Sequence, residues 1–499
     1  MKNDIKQTLI SNLALQVITA LYGLLVPRFL LANYGSMQNG MISSIDQILS
    51  YVILLEAGIS NAAIPLLFDP IKRKDINMVN EVLGSASRLY LKNGLLYLML
   101  CVCAGSFYSI FMKNQISSLY TFIMFIILSS KSLIDFFIAD KYKVLLLADR
   151  KLYIYNNIVS VETIVLLIIS LWFINANSSL SLVKMLIPLL HLIGSFFLLL
   201  IIKREYPHVS LCYNANLIIP QVTGAFIHQI CSFLTYNTDI VLMTFLLPNS
   251  LLEISVYSVY SLALSMVTRL CKVMIDGMQS VFGKLIADNK DINSHFDLFE
   301  SLYLPSVFFL FSCYIILASG FSKCFTSTTT DVDYVRPILA LLFGINGILA
   351  SGKDHYVTLI NATGEFEKTK MPFILESIIN IICTIILIPL LGMNGALIAT
   401  AISHITALFL IVSNIDHNVV HGVQRHTLYR FFIYSMTLLL IILFERKIQI
   451  SDSWSNWLIQ SLQIFVINLA VYSFSAVLID RKTIKRGMIA YAKLSDLHR

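Results

Sequence analysis

Apolar runs follow one another along the whole chain and are separated by short polar connections. Each run holds about 20 residues, which a helix needs to cross a hydrocarbon core of about 30 Å. We count about fourteen such runs, and no connection exceeds about 25 residues, which leaves no room for a soluble catalytic domain. The pattern predicts an all-α polytopic membrane protein. The predicted spans are 8–31, 41–68, 89–112, 119–139, 155–174, 182–202, 217–247, 254–275, 302–321, 335–352, 372–391, 395–415, 429–445 and 457–479.

The composition excludes a soluble globular protein. Hydrophobic residues make up 57% of the 499 residues and charged residues only 13%, and the mean hydropathy is +0.77. Soluble proteins contain about 45–50% apolar residues. The net charge of +7 therefore reflects membrane topology, and we expect no nucleic-acid partner. The eight cysteines lie mostly inside apolar runs at unrelated spacings, which predicts buried free thiols.

Basic residues are unevenly distributed between alternate connections. With a cytoplasmic amino terminus, about 27 of them lie on the inner side and about 4 on the outer side, as the positive-inside bias requires. A basic carboxy-terminal tail on the inner side also requires an even number of helices. We therefore expect both termini in the cytoplasm.

A possible internal repeat is indicated by residues that recur at a fixed offset of 214. Asp354 and Glu376 repeat Asp140 and Glu162, with several apolar positions between them. Parallel halves are a known transporter architecture. The predicted division is 1–204 for an amino-terminal six-helix bundle, 205–420 for a carboxy-terminal six-helix bundle, and 421–499 for two additional helices with a basic tail.

Ionisable residues inside the spans are the candidates for function. Each costs roughly 2.5–3.5 kcal/mol at mid-helix and so requires a partner, a wet cavity or a role. The candidate coupling or cavity acids are Asp46, Glu56, Asp135, Glu162, Asp239 and Glu376. The candidate cations for an anionic substrate are Arg28, Lys131, Arg269, Arg336 and Lys353.

Several of these candidates also have purely structural interpretations. Lys131 and Asp135 are four residues apart, so they could form an ion pair that lets the helix insert, or a pair that a substrate or proton opens. Glu162 and Glu376 could share a packing role or act in coupling. Asp239 follows polar neighbours halfway along an apolar helix, which favours a wet face.

The arginines and histidines inside the spans also have both structural and functional interpretations. Arg28 and Arg336 lie near outer helix ends, where each could reach the interface or hold an anion. The histidines on apolar helices match no metal-ligand spacing and are expected to make contacts between helices; they are His191, His228 and His404.

No phosphate-binding loop, nucleotide fold, metal cluster or nucleophile motif is present in the sequence. We therefore expect no cofactor and no ATP-driven transport within this chain. The energy would come from a proton or sodium gradient, or from the imbalance of the substrate itself.

Short motifs along the chain resemble the Wzx-type O-antigen flippases, in the polysaccharide-transport branch of the multidrug, oligosaccharidyl-lipid and polysaccharide exporter superfamily. The residues that carry the resemblance are Asn12, 27–35 (PRFLLANYG), Gly40, 56–59 (EAGI), 238–242 (TDIVL), 256–258 (VYS), Asn380 and 391–400 (LGMNGALIAT). Arg28 is the candidate cation that matches a motif position; Lys131, Arg269, Arg336 and Lys353 are carried over only as basic candidates.

The resemblance implies two six-helix bundles around a central cavity that opens alternately to the two sides. The implied substrate is an undecaprenyl-diphosphate-linked oligosaccharide, flipped from the cytoplasmic to the periplasmic leaflet of a bacterial inner membrane. The implied partners are membrane lipids and the polymerase and chain-length machinery of the same pathway. Flipping forms no bond, so the chain would not be an enzyme.

Other functions share parts of this pattern. A multidrug or cation antiporter of the same superfamily has the same fold with a different cavity lining. A membrane-embedded polymerase or ligase typically has a large periplasmic loop, which this sequence lacks. Flippases and exporters for peptidoglycan precursors, teichoic acids, capsules and exopolysaccharides would have nearly the same pattern.

Reporter fusions test the predicted topology. Cytoplasmic reporters should be active after the inner positions Lys74, Lys151, Arg204 and Arg486, and periplasmic reporters after the outer positions Lys113, Ser178 and Lys447. A periplasmic carboxy terminus would contradict the even helix count.

Overall fold

The computed structural model describes residues 2–209, 223–288, 291–364, 366–418, 423–445, 453–481, 483 and 485. These residues form α-helices and short connections, with no β-strand among them. The helices are α1 (Lys2–Tyr34), α2 (Ser36–Arg73), α3 (Ile76–Phe111), α4 (Ser118–Ile134), α5 (Asp140–Ala148), α6 (Tyr153–Asn175), α7 (Leu180–Glu205), α8 (Thr223–Leu246), α9 (Ser250–Ala287), α10 (Ile292–Phe325), α11 (Pro337–Thr363), α12 (Phe366–Leu391), α13 (Met393–Asn418), α14 (Val423–Glu445) and α15 (Trp454–Ile479).

The helices confirm the predicted fold class. Within the described part of the chain, eleven helices are long and apolar enough to cross a membrane. The other three predicted spans lie on α2, α8 and α11, and residues 217–222 of the α8 span lie outside the described residues. A π-helical turn, Asp135–Ala139, joins α4 and α5 into one continuous helix, Ser118–Ala148, which is why fifteen helices account for fourteen spans.

The chain divides into two compact units, Met1–Phe226 and Ile227–Arg499. In the first unit, α1 packs on α6, α2 on α3 and α5, and α4 on α3 and α7. In the second, α11 contacts α9, α10 and α13, while α14 and α15 pack on α10. The predicted boundaries at residues 204 and 420 remain a prediction.

A buried cluster centred on Arg430 attaches the last two helices to the rest of the second unit. The Arg430 guanidinium on α14 donates to Glu300 and, at 2.7 Å, to Asp297, both on α10. It also donates at 2.7 Å to Asp480, which follows α15. His355 Nε2 on α11 lies 3.1 Å from the Glu300 carboxylate. Since Arg430 and Glu300 are both almost fully buried, each neutralises a charge that the membrane interior would otherwise disfavour.

The tight connection between α12 and α13 explains why glycine occupies positions 392 and 395. Gly392 adopts a φ of +62°, a conformation that favours glycine over other residues. A Cβ atom on Gly395 would lie 2.1 Å from the backbone oxygen of Leu387. The close approach of the two helices therefore depends on the missing side chain.

We expect Gly395→Ala to destabilise the protein by roughly 1–3 kcal/mol, because the backbone of Leu387 must move to accommodate the methyl group. The matched control is Gly283→Ala in α9, where an added Cβ meets nothing within 4 Å and the change should stay below about 1 kcal/mol. Thermal unfolding of both variants in detergent provides the comparison. Equal stability of the two variants would contradict the close contact.

Candidate functional site

A cavity of about 640 Å³ lies within the second unit, between α8, α9, α11 and α13. Its wall carries hydroxyls, amides, aromatic rings and charged groups. The acidic, basic and histidine residues that line it are Asp239, Arg269, Lys272, Asp276, Asp354 and His404. A cavity of this size and polarity is large enough to hold a hydrated polar headgroup.

One wall of the cavity is a polar face of α9. Its residues are Ser261, Leu264, Ser265, Thr268, Arg269, Lys272, Ile275, Asp276 and Gln279. Their spacing of mostly three and four residues places them on one side of the helix. Arg269 and Lys272 are both exposed, and neither has a carboxylate within 4.0 Å among the described residues. Their charges are therefore available to a ligand.

The opposite side of the cavity is organised around Asp239 on α8. Its carboxylate accepts hydrogen bonds from the Tyr257 hydroxyl at 3.0 Å and from the Thr400 hydroxyl at 3.1 Å. The Asn380 amide in turn donates to Thr400 at 3.0 Å. All four residues belong to the segments that resemble the flippase family. Because they are far apart in sequence, the hydrogen-bond network that joins them is visible only in the structure.

Lys353 and Glu376 form a buried ion pair next to the cavity. The Lys353 ammonium on α11 contacts Glu376 Oε1 on α12, and the two side chains are 3% and 1% exposed. His404 Nδ1 on α13 lies 2.7 Å from the same oxygen. The aromatic ring of Tyr236 packs over the ammonium, with its centroid 5.5 Å away. The structure thus places Lys353 against an internal acid, whereas Arg269 and Lys272 face the cavity.

The first unit contains a second cluster of buried charges. His191 on α7 lies between Glu162 on α6, at 3.0 Å, and Asp135 at the start of the π-turn, at 2.8 Å. The predicted pair of Lys131 with Asp135 is wrong, because Asp135 contacts His191 and Lys131 has no carboxylate within 4.0 Å among the described residues. The backbone between the two residues is regular, since the Asp135 N–H donates to the Lys131 carbonyl oxygen, so it is the contact with His191 that takes the carboxylate away from Lys131.

The remaining candidates lie apart from the cavity lining. Lys184 on α7 and Lys131 on α4 act electrostatically on Asp46 of α2. Arg336 is bound by Glu253 in a two-pronged ion pair of 2.6 and 3.0 Å.

Arg28 and Glu56 lie on the first two helices. Arg28 is half-buried on α1 and has interactions of its own. The side chain of Glu56 is outside the described residues.

Sequence reasoning missed Lys272 and Lys184 as site candidates, and it missed the carboxylate partners of His191 and His404. A signal for Lys272 was present, because Ser261, Ser265, Thr268 and Lys272 repeat at helical spacing through an apolar run. No comparable signal marks the histidine partners, which lie 28 or more residues away along the chain.

No protein-family model and no curated protein sequence matches this chain. Among solved structures, it is similar to the lipid II flippase MurJ in an inward closed conformation, with a TM-score of 0.67 and 15% identity over 95% of this chain and 100% of that chain. It is also similar to an inward-facing multidrug resistance MATE transporter of the MOP superfamily, with a TM-score of 0.56 and 13% identity over 85% of this chain and 95% of that chain.

A MOP superfamily transporter from Pyrococcus furiosus, whose binding pocket is described as having reverse polarity, has a TM-score of 0.52. Its identity is 15% over 88% of this chain and 96% of that chain. At such identities the comparisons establish the fold alone, which this chain shares with a flippase and two transporters. The chemistry of the cavity must carry any conclusion about substrate.

Neutral substitutions on either side of the buried ion pair test its contribution to stability. Either Lys353→Met or Glu376→Gln alone should destabilise the protein by roughly 3–5 kcal/mol, because one buried charge loses its partner. The double variant should recover most of this loss. Thermal unfolding of all three variants decides the matter, and a double variant as unstable as the sum of the single ones would contradict the pairing.

Proposed function

We propose that this protein is a flippase that carries a polyprenyl-diphosphate-linked oligosaccharide of the O-antigen type across a bacterial inner membrane. The lipid tail stays in the bilayer, while the diphosphate and sugars pass through a polar cavity that opens alternately to the two leaflets. The protein makes no bond in this process. The polymerase and chain-length machinery of the same pathway would receive the product.

The observation that carries the proposal is the pair of cations on the polar face of α9. Arg269 and Lys272 face the cavity, and no carboxylate lies within 4.0 Å of either among the described residues. A diphosphate carries about two to three negative charges and meets a high barrier in hydrocarbon. The planar guanidinium can bind a phosphate with two hydrogen bonds, and the ammonium can add a second point of attachment.

The depth of these cations fits the start of the transport cycle. Arg269 lies nineteen residues after Ser250, so about 28 Å along α9 at 1.5 Å per residue. In the predicted topology this end of α9 faces the cytoplasm, where the diphosphate headgroup lies before transport. The hydroxyl-rich part of the same wall, from Ser261 to Thr268, continues toward the other side and could bind sugars.

The aspartates of the cavity favour a second candidate, a cation or multidrug antiporter. Asp239, Asp276 and Asp354 all line the wall. Asp239 is engaged by Tyr257 and Thr400, and Asp354 interacts electrostatically with Lys272. Because Asp239 is held by Tyr257 and Thr400, while Arg269 and Lys272 are exposed to the cavity without a carboxylate within 4.0 Å among the described residues, the flippase accounts better for the cavity.

Replacement of the two cations tests the proposal. We expect Arg269→Gln and Lys272→Gln each to reduce surface polysaccharide by at least about 10-fold, since a charge-assisted hydrogen bond contributes roughly 1.5–3 kcal/mol. The host is a strain that depends on this protein for glycan display, and membrane abundance is measured in every variant.

The matched control is Lys284→Gln, an exposed lysine on α9 that does not line the cavity. It should display glycan at the wild-type level. Full display by the Arg269→Gln/Lys272→Gln double variant at normal abundance would contradict the flippase site, and resistance of the host to cationic drugs on expression of the wild type would favour the antiporter.

A further inference from the structure

His191 is the one side chain of the first unit's buried cluster that touches two acids. Its Nδ1 lies 3.0 and 3.1 Å from the two Glu162 oxygens, and its Nε2 lies 2.8 Å from Asp135 Oδ1. The imidazole side chain is only 4% exposed. Both ring nitrogens therefore face carboxylates at hydrogen-bond distance, and the Asp135 side chain is the most exposed of the three, at 19%.

This geometry requires one more proton than the ordinary forms of the three groups supply. A neutral imidazole has a single N–H, and an ionised carboxylate can only accept. With neutral His191 and two carboxylates, one ring nitrogen would direct its lone pair at a carboxylate oxygen. Two short contacts are satisfied together only when an added proton makes the ring an imidazolium or protonates one of the acids.

Among the described residues, no lysine or arginine lies within 4.0 Å of Asp135 or Glu162 to supply the missing positive charge. The charged groups that act on His191 are Asp135 and Glu162. Lys131, one turn before Asp135, makes no ion pair with it among the described residues, and together with Lys184 it acts on Asp46.

The second unit provides the contrast. There the acid–histidine contact of Glu376 and His404 includes Lys353, whose ammonium supplies a permanent charge. At the offset of 214 that relates Glu376 to Glu162, the position of Lys353 corresponds to Ala139. The cluster of the second unit is therefore neutralised by a lysine, whereas the acids of the His191 cluster have no lysine or arginine within 4.0 Å among the described residues.

The site that would bind this proton includes an irregular turn of the backbone. Asp135 begins the π-turn, and the Asp140 N–H donates to the Asp135 carbonyl oxygen. On the neighbouring α3, Gly94 allows the π-turn to approach so closely that an added Cβ would lie 3.1 Å from Phe136. π-turns inside helices frequently mark functional sites, and this one carries one of the two acids that hold His191.

We propose that Asp135, His191 and Glu162 form the proton-binding site through which a proton gradient drives transport. The bound proton holds the π-turn, α6 and α7 together through the imidazolium. Its release to water leaves one ring nitrogen without a proton opposite a carboxylate, weakens the contact with Asp135 or Glu162, and permits the first unit to rearrange. This inference names the coupling ion of the proposed flippase and rests on that function for its physiological role.

The protonation state is measured directly, without any substrate. The full-length protein, labelled with 15N-histidine, is placed in lipid nanodiscs, and His191 is assigned by the signal lost in His191→Gln. We expect an imidazolium signal at pH 7 that disappears at higher pH. In Asp135→Asn or Glu162→Gln, which leave a single acid, His191 should become neutral at pH 7. A neutral His191 at pH 7 in the wild type, together with ionised Asp135 and Glu162 by infrared spectroscopy, would overturn the proposal.

The coupling itself is tested in proteoliposomes with an undecaprenyl-diphosphate-linked disaccharide as the probe. A proton gradient should accelerate flipping of this probe by the wild type, and His191→Gln should abolish the acceleration. His191→Lys places a permanent cation between the two acids; it should fold and should also lose the response to the gradient. The control His295→Gln changes an exposed histidine at the start of α10 and should keep the response.

Retention of full gradient stimulation by both His191 variants would overturn the proposal. Because the spectroscopic measurement needs no substrate, it separates the two claims. An imidazolium at His191 without flipping of the probe would contradict the proposed function and leave the proton site intact, whereas flipping that ignores the gradient would contradict the proton site alone.

Discussion

A charge between membrane helices has no water to hydrogen-bond, so it must be neutralised within the protein. Among the described residues, three buried clusters satisfy that constraint, each joining helices that are distant in sequence. The first is centred on His191, the second on the Lys353–Glu376 pair and the third on Arg430. Their partners come from different helices in every case. The same interactions that remove the cost of burial therefore determine which helices pack together.

The clusters differ in the cation that balances the buried acids. We assign a structural role to clusters balanced by arginine or lysine, and a functional role to the cluster balanced by histidine. Arg430 and Lys353 are permanent cations that bind acids almost completely shielded from water. His191 faces two acids with a charge that depends on pH. In the polar cavity of the second unit, Arg269 and Lys272 have no acid within 4.0 Å in the described part of the chain, so an anionic ligand can supply the missing charge.

The sequence was sufficient to predict the helices, because a span of about 20 apolar residues is a local property. Each predicted span corresponds to an observed helix. The partners of the buried charges were not predictable, because they depend on contacts between residues as far apart as Glu300 and Arg430. The predicted Lys131–Asp135 pair failed although the helix is regular between the two residues, because the Asp135 carboxylate contacts His191, which lies 56 residues further along the chain. Family resemblance located Asp239, although only the structure joins it to its hydrogen-bond partners.

The most direct test of the account is reconstitution of the purified protein in vesicles that contain an undecaprenyl-diphosphate-linked disaccharide in the inner leaflet only. Appearance of the disaccharide on the outside is followed with an impermeant lectin, and a cationic dye is measured in parallel. The account predicts that the protein exposes the disaccharide well above the rate of protein-free vesicles and leaves the dye distribution unchanged. Transport of the dye without exposure of the disaccharide would contradict it.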